Sequence, residues 1–152
     1  MEQTGSRRGS SGRKTTSKIV VDSWAWVEIL KLSEAGNAAK SQIEQSDEAF
    51  TPGLVLAELA RKYLREDVDP AVLKRWLQGI SETTEVYGID VGLAFDSAKA
   101  SAELADKARK EGLGRPGLGD ALVLATARAV QGEVLTGDPH FRGLPETIWL
   151  GE

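Results

Sequence analysis

Lys18-Ile19-Val20-Val21-Asp22 and Gly132-Glu133-Val134-Leu135-Thr136-Gly137-Asp138 are the stretches that decide the fold of this chain. Each is a short apolar run that ends on an acid, the pattern of a strand buried on both faces. Working outward from them, strand-like and helix-like stretches alternate without repeats. Strands are predicted at 18–22, 48–52, 85–90, 132–136 and 147–150, and helices at 23–32, 35–46, 53–65, 70–80, 92–111 and 119–131. Such alternation implies right-handed crossovers and a parallel sheet covered on both faces, a three-layer α/β/α fold with about five strands. In sheets of this kind ligands bind beyond the carboxyl ends of the strands, which is where Asp22 and Asp138 stand.

Local signals sharpen the elements. Asp69-Pro70 marks a helix start, with Asp as cap and Pro in the first turn. Gly112 and Gly132 are placed to close the two helices that precede them. The stretch 119–131 is apolar on nearly every side, as a deeply packed helix should be. Its neighbour carries Ala94, Ala98, Ala102, Ala105 and Ala108, a small-residue stripe expected to allow close helix approach.

The bulk properties narrow the chemistry. A chain of 152 residues with 41% hydrophobic and 28% charged residues suits one soluble domain. No apolar run approaches the roughly 20 residues that span a bilayer, and residues 1–17 lack the apolar centre of a signal peptide. With no cysteine, disulfides and thiolate metal sites are excluded, and a cytoplasmic location is expected. His140 is the sole histidine, which also excludes zinc sites with several imidazoles and two-histidine ribonuclease chemistry. Residues 1–17, rich in Ser, Gly, Thr and Arg, read as a flexible basic arm, and 18–152 as the folded domain. Met1 to Lys18 holds five cations against Glu2, about +4, so a chain of net charge −4 leaves about −8 on the remainder. A body that acidic is a poor binder of polyanions unless a cation inverts the local sign.

Four acids stand out: Asp22, Glu58, Asp120 and Asp138. Carboxylates gathered beyond strand ends repel one another and lose hydration unless a divalent ion joins them. Each also has a local explanation. Asp22 and Asp120 are placed to cap helices. Glu58 interrupts the apolar Leu54-Val55-Leu56-Ala57-Glu58-Leu59-Ala60 and is within reach of a salt bridge to Arg61 or Lys62. Asp138 lies in a turn-forming Gly137-Asp138-Pro139. Among other candidates, His140 reads as a solvated loop residue more readily than as a phosphate contact. Trp24 reads as packing more readily than as a base-stacking platform. Trp26, Trp76 and Trp149 read as core or interface residues. Arg115, in the glycine-rich loop before Asp120, fits a phosphate contact or a plain connector equally well.

Taken together and in order, these features resemble the PIN domain, a family of metal-dependent nucleases. The resemblance runs over 18–150 and rests on Val20-Val21-Asp22-Ser23, the helical Glu58, Gly119-Asp120-Ala121-Leu122, and Leu135-Thr136-Gly137-Asp138 with Phe141. It implies that Asp22, Glu58, Asp120 and Asp138 are the acidic positions and that Ser23 and Thr136 are supporting hydroxyls. It further implies Mg²⁺ or Mn²⁺ as cofactor, one or two ions, with two ions roughly 3.5–4 Å apart activating water on a phosphodiester. The expected products are a 5′-phosphate and a 3′-hydroxyl.

Compactness and size resemble the VapC-type toxin ribonucleases of toxin–antitoxin pairs. That resemblance implies an RNA substrate, a small antitoxin laid across the site, and a homodimer. The antitoxin groove is expected beside helices 23–32 and 53–65, which carry Trp24, Leu32, Tyr63 and Leu64. An unpaired RNA-processing PIN nuclease and a non-catalytic RNA-binding PIN domain are the alternatives. A receiver domain is a poorer match: Asp90 resembles its acceptor, but no Lys follows the last strand. A phosphatase of the Asp-x-Asp type fails because Trp24 holds the second acidic position.

Overall fold

The computed structural model describes residues 17–152; the arm expected over residues 1–17 lies, apart from Ser17, outside the described residues. Its sheet is built from β1 (Lys18–Val21), β2 (Glu48–Pro52), β3 (Glu85–Tyr87), β4 (Glu133–Thr136) and β5 (Thr147–Trp149). The strand order is β3-β2-β1-β4-β5, and every pairing is parallel. The helices are α1 (Ser23–Lys31), α2 (Glu34–Gln45), α3 (Gly53–Arg65), α4 (Pro70–Thr83), α5 (Val91–Glu111) and α6 (Leu118–Val130), with a 3₁₀ turn at Pro139–Phe141. This is the expected three-layer α/β/α fold.

The order of strands places the cleft. From β1 the chain steps outward to β2 and β3, then returns across the sheet to β4 on the other side of β1. With right-handed crossovers, α1 to α4 fall on one face and α5 and α6 on the other. The point of reversal lies between β1 and β4, and a crevice opens there beyond the strand ends. Val20↔Val134 and Val21↔Leu135 fix the register of these two strands. Their side chains, with Ile19, are fully buried and anchor the core.

Packing shows where local reading falls short. The alanine stripe on α5 is a correction: Ala94, Ala98 and Ala102 are exposed, and the buried face is Leu93, Ser97, Ala100, Leu104 and Ala108. A buried leucine contributes roughly 1.5–3 kcal/mol and a lone methyl about 0.8 kcal/mol, so Leu93 and Leu104 choose the face against α6. Gly132 is a second correction. The left-handed residue that ends α6 is Gln131, at φ 59°. Gly132 is instead pressed on β1, where a Cβ would fall 2.5 Å from the Lys18 carbonyl oxygen. Gly112, at φ 71°, does close α5 as expected. Predicted strand 85–90 stops at Tyr87, because Asp90 caps α5 by accepting from the Leu93 N–H at 2.8 Å. Ser17 already belongs to the folded body, its carbonyl accepting from the N–H groups of Asp47 and Glu48.

Candidate active site

Asp22 is the first residue beyond β1, and its backbone N–H still donates to Leu135 on β4 at 3.3 Å. It occupies the N-cap position of α1, yet its carboxylate makes no capping hydrogen bond. The side chain turns toward β4 and accepts from the Thr136 hydroxyl at 2.7 Å. It is 2% exposed. Burial pushes its pKa up to about 7; the Thr136 hydrogen bond opposes this, and the nearby charges of Asp120 and Asp138 add to it. The Thr136 hydroxyl oxygen in turn accepts from the Asp138 N–H at 3.0 Å, so one threonine bridges both strand-end acids.

Asp120 and Glu58 enter from the helices. α6 begins one residue before Gly119, with Gly117 as its cap. Asp120 is therefore in the first turn rather than at the cap itself, and accepts from the Gly117 N–H at 3.0 Å. Its pKa is raised by burial and by Asp138, against the pull of that N–H and of His140. Glu58, half-buried on α3, lays its carboxylate over Gly119, where any Cβ would overlap it. The pKa of Glu58 is raised by burial and by Asp120, and lowered less by Arg61. Lys62, the other proposed salt-bridge partner, pairs with Glu66 at 2.6 Å instead.

Asp138 does cap the turn that follows, accepting from the His140 N–H at 3.0 Å. The His140 ring is a correction to the sequence reading. It is half-buried rather than solvated, with Nδ1 2.9 Å from Asp138 Oδ1 and Nε2 2.7 Å from the Gly114 carbonyl oxygen. Both nitrogens face oxygen acceptors, the arrangement of a doubly protonated ring. Burial lowers the His140 pKa, but the hydrogen bonds to Gly114 and Asp138 and the acidic charges raise it further, so the net shift is upward. Potential ligand atoms of Asp120, Asp138 and His140 lie within 4.8 Å of one another. A sequence signal for His140 existed: a lone histidine two residues beyond a candidate acid, with Pro139 forcing the tight turn between them.

Glu58, Asp120 and Asp138 open onto a cleft of about 390 Å³ that Ser23, Trp24, Val27 and Arg61 also line, while Asp22 lies buried behind it. The Trp24 ring covers Gly137, where a Cβ would fall 2.5 Å from it, so Trp24 is packed as expected while still lining the cleft. Trp26 is core, its indole N–H donating to Thr51 at 3.1 Å. Tyr63 turns inward against Trp76 and offers little to an outer surface, whereas Leu32 and Leu64 are exposed. Arg115 is exposed on the loop between α5 and α6.

A parallel sheet in this order, with acids from two strand ends and two helices meeting at its point of reversal, is the arrangement of the PIN domain. The chain belongs to that family, whose model matches residues 19–146. Its fold is similar to chains in solved toxin–antitoxin structures. One is a toxin–antitoxin complex from Klebsiella pneumoniae, 22% identical over 88% of this chain and 98% of that one, with a TM-score of 0.60. DNA-bound VapBC from Salmonella typhimurium is 20% identical over 88% and 98%, with a TM-score of 0.65. VapBC-1 from nontypeable Haemophilus influenzae is 15% identical over 87% and 96%, with a TM-score of 0.63. No curated protein is similar enough in sequence to match. No helix among the described residues is long and apolar enough to cross a membrane.

Proposed function

We propose that this chain is a divalent-metal-dependent endoribonuclease and the toxin half of a VapBC-type pair. The observation that carries this reading is the buried Asp22 carboxylate, hung on Thr136 and facing two further acids with no cationic partner among the described residues. Ionising it at neutral pH needs a positive charge, and a donor set of carboxylate oxygens suits Mg²⁺ or Mn²⁺. Asp22, Glu58, Asp120 and Asp138 would hold the ion. When bound, it supplies activation of water and neutralisation of charge on the scissile phosphodiester.

The remaining work falls to the chain's own groups. Thr136 fixes the orientation of Asp22, and the missing side chain of Gly119 leaves room for Glu58. Ser23 lines the cleft beside Asp22 as a supporting hydroxyl. Arg61 and Lys62 line the cleft from α3 and would meet RNA phosphates, which the acidic body otherwise repels. The Trp24, Val27 and Leu59 side chains in the same cleft offer an apolar floor for an antitoxin helix whose basic residue reaches the acids. A homodimer in the cytoplasm completes the proposal.

The test is RNA cleavage with and without Mg²⁺ or Mn²⁺. Asp22→Asn and Asp120→Asn are each expected to abolish cleavage while the protein remains folded by circular dichroism. Full activity in either variant, in chelator-controlled buffer, removes that residue from the site. Light scattering alone and with the neighbouring gene product tests the assembly. A strict monomer that is harmless in cells and has no small partner turns the reading to an unpaired RNA-processing nuclease. Folded protein that binds RNA and the ion but never cleaves turns it to a non-catalytic PIN domain.

A further inference from the structure

We propose that His140 is a positioning residue. It clamps the loop of residues 112–117 to Asp138 and so sets the separation of Asp120 from Asp138; the inference rests on the metal reading above. The two carboxylates ride on segments of unequal stiffness. Asp138 is held by the Thr136 hydroxyl and by a 3₁₀ turn whose Pro139 fixes one dihedral and whose Phe141 is fully buried. Asp120 hangs on the other segment, because its carboxylate is bonded to Gly117 at the end of the loop.

That loop has glycine at 112, 114 and 117, so its backbone resists disorder poorly. It is largely exposed. The His140 ring joins the two segments across 26 residues of sequence, with Nδ1 on Asp138 and Nε2 on the Gly114 carbonyl. Carbonyl capture in mid-loop is a hydrogen bond that packing alone does not demand. Without it, the start of α6 is free to drift from the 3₁₀ turn, and the acids lose their fixed spacing. Groups that orient metal ligands in this way typically change metal affinity 10- to 100-fold when removed.

The experiment uses the full chain with His140→Ala, His140→Phe and His140→Gln. Phenylalanine keeps the ring volume and loses both hydrogen bonds, while glutamine retains a donor for one. In metal-free buffer, the Leu113 and Gly117 amides, which donate to the Ala108 carbonyl and to the Asp120 carboxylate, are expected to exchange with solvent roughly tenfold faster in the Ala and Phe variants, with the core strands unchanged. Mn²⁺ titrated by calorimetry should bind at least tenfold more weakly to those two, with glutamine between them and the parent. Loop exchange that stays at the parent's rate in His140→Phe overturns the clamp. Nitrogen coupling to bound Mn²⁺ in the parent, lost in His140→Phe, overturns it in favour of direct ligation by the ring. Should the parent bind no Mn²⁺, the metal reading of the site fails, and loop exchange alone decides whether the clamp exists.

Discussion

The buried carboxyl of Asp22 makes the stability of the metal-free protein depend on pH. In the unfolded chain it loses its proton near pH 4, and in the folded chain only near pH 7. Between those values the folded state holds more protons, so stability falls as pH rises, by an amount on the order of 4 kcal/mol for this group. Asp22→Asn removes that loss and keeps an acceptor for Thr136. In chelator, the variant should therefore match the parent near pH 4 and exceed it by several degrees in melting temperature at pH 8. A melting gap that stays flat across this range would show that Asp22 is not held protonated by its surroundings. The pairing behind this behaviour was only partly legible. Asp22 at a strand end is a local signal, and family resemblance pointed to Thr136, but the 114-residue separation of the two is invisible to any sequence window. The surroundings of His140 are not legible locally, because Gly-Asp-Pro-His reads as a turn, which it is, while the second partner, Gly114, comes from elsewhere in the chain.

At the scale of elements, two glycine positions separate site geometry from helix stability. Gly119→Ala places a methyl against the free end of the Glu58 side chain, which can swing away. The expected result is cleavage reduced by tenfold or more with a melting temperature within a few degrees of the parent. Normal activity would mean that Glu58 has no fixed place over Gly119. Gln131, by contrast, ends α6 in the left-handed region at φ 59°, a conformation costing an L-residue roughly 1–2 kcal/mol. Gln131→Gly should raise stability by up to about 1 kcal/mol in chemical denaturation without touching activity. Elements with strong apolar runs, β1, β4 and α6, were readable because burial on all sides leaves little choice of face. α5 was not, since alanine tolerates either face and only the tertiary partner selects Leu93 and Leu104.

At the scale of the whole molecule, charge is divided unevenly, about +3 on residues 1–17 and about −7 on residues 18–152. If residues 2–17 assist RNA capture through phosphates, deleting them should weaken binding and reduce the slope of affinity against salt. The cleavage position should stay the same, since phosphate contacts carry no sequence information. A shifted cleavage site on a sequencing gel would show that these residues read the substrate. The hydrogen bond from Thr136 to Asp22 has a consequence in time as well. Asp22 is made 114 residues ahead of Thr136 on the neighbouring β4, so the acids cannot converge until β4 has left the ribosome. Under the nuclease reading proposed above, nascent or prematurely terminated chains that lack β4 would be inert, and activity would begin only once that strand has docked.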